Sequence, residues 1–489
     1  MTEITDFASI ILVVTVGFAL AVLATTLTER VPVPAPALFL LAAAVVSDIW
    51  PGVYEAVEIE TVERIAVVAL VVILFNGGLD IGWRRFRASA GPILSIGLLG
   101  TFATAGLVTV VAHYVLGFEW VLAGIVGAAL APTDPAVMFS VLGRREVAGR
   151  SGTILEGEAG VNDPVGIALM LGMIELATHD DASFWVVVEE FAVEMSIGVA
   201  CGLLGALALL PLFRRLQLPS EGLYPVLALV LAGALYGATS LAHGSGFLAV
   251  FIAALFFGDA RMPYKGEIER FSGSLASLAE LVVFVALGLT IDIGGLSSRI
   301  WLEGVVLALA LALLVRPLVV LVTLGLARLG WAERAFITWS GLKGAVPILL
   351  AAFALLGGVT GAERVYGVVF VVVLLSVVGQ GTLVPFVARA LDISMREQPA
   401  LPWELSVRFD EEPQPAHEFE VGAGSRAAGR VISDLPLVEH VWITLVVRDG
   451  IATRPGGSLE LQAGDRVVLL AEPEDLEAVR RLFNDGPEA

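Results

Sequence analysis

The sequence contains a single cysteine, Cys201, so it can close no internal disulfide and build no thiolate metal cage. Its place in an apolar run suits a small buried side chain and says nothing about redox compartment. Charge is scarce as well: 16% of residues are Asp, Glu, Lys or Arg, against about 25% in soluble domains. Together with 57% hydrophobic residues and a mean hydropathy of +0.87, this excludes a mainly water-soluble fold. The net charge of -20 comes from acids crowded into the C-terminal tail and a few loops, so nucleic acid is not an expected partner. His113, His179, His243, His417 and His440 are scattered and form no His-Glu-x-x-His element, which argues against an intramembrane hydrolase and against an enzyme. A filter sequence of the Thr-Val-Gly-Tyr-Gly kind, which a potassium channel needs, is absent too.

What is present is a succession of apolar runs of spanning length. They fall at roughly 7–28, 34–50, 62–79, 91–116, 120–142, 151–177, 184–213, 222–241, 245–258, 271–291, 300–327, 335–357 and 364–390, about thirteen in all. Met1 to Asp6 lack the basic residues of a secretory leader, so the first run is expected to stay as a helix. Arg84, Arg85 and Arg87; Arg144, Arg145 and Arg150; Arg214 and Arg215; and Arg261, Lys265 and Arg270 occupy alternate loops. The intervening loops carry Asp48, Glu55, Glu58 and Glu60, or His179, Asp180 and Asp181. Positive residues in short loops mark the cytoplasmic side. The expectation is a multi-pass protein of the cell membrane, N-terminus outside and C-terminus in the cytoplasm.

Composition changes at Arg396. Residues 1–396 form the expected membrane domain, and 397–416, with Pro399, Pro402, Pro413 and Pro415 around Asp410, Glu411 and Glu412, a linker. Residues 417–489 are expected to form a small α+β domain. Alternation over Val441 to Val447 before Asp449-Gly450, and the run Arg466 to Leu470, predict strands, and Pro473 opens a helical segment ending near Phe483.

The most informative residues are ionisable groups inside the apolar runs, since an acid at the centre of a membrane helix costs about 2.5–3.5 kcal/mol. In Ala131-Pro132-Thr133-Asp134-Pro135 two prolines disfavour regular helix, which frees backbone carbonyls and the Thr133 hydroxyl beside the Asp134 carboxylate. Broken helices at the midplane are how transporters build ion sites. In Glu156-Gly157-Glu158-Ala159-Gly160-Val161-Asn162-Asp163-Pro164, Glu158 and Asn162 are i,i+4 neighbours and Glu156 lies two turns below Asp163. Asn162 and Asp163 point about 100° apart, so one can hold Asp134 while the other faces a cavity. Arg316 precedes Pro317 in a later span, with Glu158 a candidate partner, and Lys343 sits in Gly341-Leu342-Lys343-Gly344-Ala345-Val346-Pro347, a second interrupted span. The bland alternatives are packing polar groups for the acids, an interfacial place for Glu156 and Glu280, and snorkelling for Arg316 and Lys343.

In this order the Thr-Asp pair, the Glu-x-x-x-Asn-Asp element, the late-span Arg and the Gly-Leu-Lys-Gly-Ala-Val segment resemble the cation:proton antiporter-1 family of NhaP-type transporters, over roughly residues 7–392. The resemblance implies an all-α fold of thirteen helices with inverted repeats and broken crossing helices, a homodimer, and a core moving against a scaffold. It implies that Asp163 alternately carries a proton or a monovalent cation, K+ or Na+, with Thr133, Asp134 and Asn162 supporting the site, and that Glu158 and Arg316 form a structural ion pair. Asn76, Glu156, Glu280 and Lys343 are accessory candidates. Three positions depart from the family pattern: Ala159 stands where a Ser ligand is frequent, Asn76 where many members carry an acid, and Lys343 where an Arg is frequent, which keeps the charge but loses the guanidinium fork.

The tail segments Leu435-Pro436, Val446-Val447-Arg448-Asp449-Gly450, Leu461-Gln462-Ala463-Gly464-Asp465-Arg466 and Glu472-Pro473-Glu474-Asp475-Leu476 resemble the TrkA-C (RCK-C) module of potassium-conductance regulators. Antiporters with this module are often assigned to potassium/proton exchange. Gly422-Ala423-Gly424-Ser425 lacks the context of a dinucleotide fingerprint, so NAD is not expected, and the motif names no nucleotide-type regulator. No resident cofactor is expected. One exchanging acid predicts one proton per monovalent cation. The rivals are an ion-sensing transceptor and a gated cation channel with a regulatory tail.

Overall fold

The computed structural model describes residues 34–50, 57–142, 145–147, 149–179, 184–325, 327–397, 416–437, 441–448, 450–472 and 474–483. They fall into two compact units, within 1–400 and 401–489.

In the first unit the apolar runs are helices: α1 (Ala35–Ile49), α2 (Ile59–Ala88), α3 (Ala90–Leu116), α4 (Trp120–Leu130), α5 (Pro135–Leu142), α6 (Arg150–Thr178), α7 (Phe184–Arg215), α8 (Leu223–Leu241), α9 (Gly246–Asp259), α10 (Lys265–Leu289), α11 (Ser298–Thr323), α12 (Trp331–Trp339), α13 (Ala345–Leu356) and α14 (Ala362–Ala390). Twelve of the thirteen expected spans are therefore seen. The first, 7–28, lies outside the described residues. Two spans are broken in the middle: α4 and α5 are halves of one, α12 and α13 of another.

Local chemistry explains the irregularities. Pro132 and Pro135 flank the first break and Gly341 and Gly344 the second, residues that withhold N–H donors or lower the cost of non-helical backbone. Ahead of Arg316 the turn of α11 over Leu311–Val315 widens to i→i+5 bonding. Pro317 follows with no N–H for the carbonyl one turn back. α2 is kinked at Gly82, whose φ of 67° favours glycine. There it meets α9 closely: a Cβ on Gly78 would lie 2.6 Å from that of Ala254. α3 ends at Gly117, also left-handed, whose N–H bonds the His113 carbonyl while Phe118 bonds Ala112.

A two-stranded antiparallel ribbon joins two distant segments of this unit. β1 (Arg145–Val147), in the connection between α5 and α6, pairs with β2 (Met395–Glu397), just after the last span. Glu397, expected to begin the linker, thus belongs to this ribbon.

The second unit is an antiparallel sheet in the order β3-β6-β4-β5, with β3 (Ala416–Glu420), β4 (Trp442–Arg448), β5 (Ile451–Thr453) and β6 (Arg466–Leu470), and one helix, α15 (Leu476–Phe483). Ala416, expected as linker, is the first residue of β3. Val446, Val467, Leu469 and Phe483 are fully buried between sheet and helix. Asp465 is buried too, gripped by Arg448 through Nε at 2.8 Å and Nη2 at 2.7 Å and by the Gln462 N–H at 2.8 Å. The Arg448 hydrogen bonds hold the Asp465 carboxyl below the usual carboxylate range.

Candidate functional site

The two chain breaks pack against each other. The Asp134 backbone N–H donates to the Leu342 carbonyl at 2.8 Å, tying the first break to the second. The Asp134 carboxylate accepts from the Ala136 N–H at 2.9 Å and from the Ala345 N–H, so it caps the N-terminal ends of both α5 and α13. Lys343 does the converse: its Nζ donates to the Ala131 and Pro132 carbonyls, at 3.0 and 2.8 Å, where α4 ends. A negative charge at helix N-termini and a positive one at a C-terminus each complement the local dipole. Gly344 is required by this crossing, because any Cβ there would overlap the Asp134 carboxylate.

Two sequence-based expectations need correction here. The carbonyls of residues 131 and 132 are not free ligands, because Lys343 takes both. Asn162 does not hold Asp134: its Nδ2 donates to the Thr133 hydroxyl at 2.8 Å, which donates on to Glu158 Oε1 at 3.2 Å. The i,i+4 spacing of Glu158 and Asn162 brings both to Thr133, and the break supplies the hydroxyl that joins them.

Behind this chain lies a buried ion pair. Arg316 meets Glu158 through two parallel bonds, Nη1 to Oε1 at 2.5 Å and Nη2 to Oε2 at 2.8 Å, and Nη2 also reaches the Ile337 carbonyl at 3.3 Å. Both side chains are almost fully buried. Neither Arg316 nor Lys343 snorkels to an interface. The Lys343 N–H is taken by Ser376 Oγ at 2.9 Å, and Gln380 Nε2 bonds the Trp339 carbonyl at 2.6 Å, so α14 braces the second break.

The other side of the crossing differs in kind. A cleft of about 450 Å³ is lined by Asn76 and Asp80 of α2, Asp134, Ser140 of α5, Glu156, Ala159 and Asp163 of α6, and Ser277 and Glu280 of α10. A deeper chamber of about 40 Å³, enough for a small ion, is bounded by Asp134, Asp163, Glu280 and Phe284. Asn76 and Asp80 lie in the C-terminal half of α2, Ser140 in the last turn of α5, Glu156 near the start of α6 and Ser277 in the first half of α10. These are the ends that carry Arg84, Arg85, Arg87, Arg150 and Lys265.

Within the cleft, acceptors outnumber donors. Asp163 Oδ1, Glu280 Oε1 and Asn76 Oδ1 are buried oxygens with no hydrogen-bond donor. Pro164 adds to this, having no N–H for the Gly160 carbonyl beneath Asp163. Ala159 contributes no oxygen. Among the described residues no group of three His, Cys, Asp or Glu side chains is arranged to hold a metal ion. The cleft wall offers sparse oxygens, charged and neutral, around one deep carboxylate. Sequence reasoning missed Asp80, Ser140 and Ser277. Only Asp80 had a signal, its i,i+4 spacing from Asn76, and its nearness to the Arg84 loop masked it.

Known proteins share this fold. The backbone is similar to the sodium proton antiporter MjNhaP1 of Methanocaldococcus jannaschii at pH 8, with a TM-score of 0.64 at 21% identity, over 77% of this chain and 99% of that one. In sequence the chain is 31% identical over 478 residues to the K(+)/H(+) antiporter NhaP2 of Shewanella sp. (strain ANA-3), covering 96% of this chain and 82% of that one. It is 30% identical over 472 residues to the K(+)/H(+) antiporter NhaP of Alkalimonas amylolytica, covering 95% and 82%. Residues 416–484 match the TrkA-C domain, and residues 18–390 the family described as sodium/hydrogen exchanger, transmembrane. The chain is therefore a multi-pass membrane transporter of the cation:proton antiporter-1 family, exchanging a cation for protons and carrying a C-terminal TrkA-C domain.

Proposed function

We propose that the chain exchanges K+ for H+, one for one, with Asp163 as the group that alternately holds the proton and the cation. The observation that carries this reading is the set of donor-less buried oxygens, Asp163 Oδ1, Glu280 Oε1 and Asn76 Oδ1, converging on one cleft. An acceptor without a donor in low dielectric is costly, and a proton or a cation relieves the same deficit. Competition for that place couples the two flows. Asp134 is engaged by two helix ends and Glu158 by Arg316, which leaves Asp163 and Glu280 as the cleft acids with a donor-less oxygen, and the family resemblance gives the exchanging role to Asp163. Thr133 and Asn162 support it through the Glu158 network.

K+ is favoured over Na+ by two features. Asn76 offers a neutral carbonyl and Ala159 nothing, so the site has a weak field, which suits the cation that sheds water more readily. Relatives named as K(+)/H(+) antiporters also align over 95–96% of this chain. The alternating Arg clusters support a cleft that opens to the cytoplasmic side, with the N-terminus outside. Residues 1–397 would be the exchange domain, 398–415 the linker and 416–489 a cytoplasmic regulatory domain, in a homodimer that native mass spectrometry in detergent would register.

The test is collapse of an imposed pH gradient in proteoliposomes by K+, Na+ and Li+ in turn. K+ is expected to act at the lowest concentration, and a lower half-saturating value for Na+ would overturn the preference. A current at matched gradients would overturn the one-to-one ratio, and cation flux with no proton movement would return the channel.

A further inference from the structure

We propose that Asp80 is a positioning residue: it fixes which face of the Asn76 amide meets the cation path and thereby sets cation affinity and preference. The proposal rests on the exchange reading above. Asn76 and Asp80 are one turn apart on α2 and both line the cleft, and Asn76 Nδ2 donates to Asp80 Oδ2 at 2.8 Å. A carboxylate only accepts, so this bond is made by the amide nitrogen and not by its oxygen. The nitrogen is held toward Asp80, on the side of the arginine-bearing end, and the oxygen is turned the other way.

That oxygen is buried and has no donor. Opposite it lies Gly273 of α10, where an added Cβ would stand 3.6 Å from Oδ1. Ser277 and Glu280 follow on the same face of α10, at i+4 and i+7 from Gly273, and both line the cleft. The fixed orientation thus turns a carbonyl dipole, negative end first, toward the wall that holds Glu280. A flipped amide would turn an NH2 group to the same place and repel a cation. Asp80 itself is exposed, so its replacement leaves the packed core untouched.

The experiment uses the full-length chain in proteoliposomes, with KM and maximal rate for K+, Na+ and Li+ read from pH-gradient collapse. Loss of a hydrogen bond to a charged group predicts that Asp80→Ala raises the KM for K+ about tenfold while the maximal rate stays within about twofold. It should also narrow the gap between K+ and Na+. Asp80→Asn keeps an acceptor oxygen for the amide and should recover most of the lost affinity. In an Asn76→Ala background Asp80→Ala should add nothing. An unchanged KM in Asp80→Ala, equal damage in Asp80→Ala and Asp80→Asn, or additive effects with Asn76→Ala would each overturn the proposal. Absence of exchange in the unmodified protein would overturn the antiport reading and this proposal with it.

Discussion

Glu158 and Asp163 lie five residues apart on α6, both buried, and meet opposite surroundings. Glu158 faces the wall of paired charges, where Arg316 engages both its oxygens and Thr133 adds a third bond. Asp163 faces the cleft, where its Oδ1 has no donor. The difference teaches that the cost of an intramembrane acid does not by itself mark function. What marks it is whether the protein has already met that cost with its own donors. The same contrast separates the crossing into a braced side, held by Lys343, Ser376 and Gln380, and a side left open to an ion.

Removing the acid proposed to exchange should show the largest effect. Asp163→Asn is expected to lower cation-dependent pH-gradient collapse at least about a hundredfold, while thermal stability in detergent stays close to that of the unmodified protein. Exchange at unmodified rates would erase the contrast. Next comes the braced side: Glu158→Ala strands the Arg316 charge and should cost about 3–5 kcal/mol, seen as a sharp fall in melting temperature and yield. A stable but inactive variant would move Glu158 to the cleft side.

A smaller effect is expected in the tail, where Asp465→Asn weakens the grip of Arg448 by about 2 kcal/mol, read by faster hydrogen exchange of β4 and β6 in the full-length protein. Because folding lowers the Asp465 pKa, its contribution is present above the unfolded value of about 3.9 and is lost as pH falls through the folded one. The exchange difference between the two proteins should therefore be full at pH 7 and shrink on strong acidification. The smallest change is predicted for Glu280→Gln, which keeps the shape of the chamber wall: a rise of a few-fold in cation KM with little loss of maximal rate.

Much of this was legible along the chain. Apolar runs mark the spans because the bilayer admits only helices with satisfied backbones here, and prolines 132 and 135 mark a break because they withhold donors. The strands Trp442–Arg448 and Arg466–Leu470 follow from alternation around Gly450 and Gly464. The partner of Asn162 was not legible, since Thr133 is 29 residues away and meets it only where one span breaks. Nor was the occupation of carbonyls 131 and 132, which depends on Lys343, more than 200 residues later in the chain.

Residue type and spacing alone determined a polytopic helical protein with two interrupted spans, a small mixed tail and buried acids near the membrane centre, because the cost of burying charge and backbone is local to each segment. Only the tertiary structure decided which acids are satisfied. A hydrogen-bond donor across the bundle is a matter of where helices cross, and no pattern along a single segment records it.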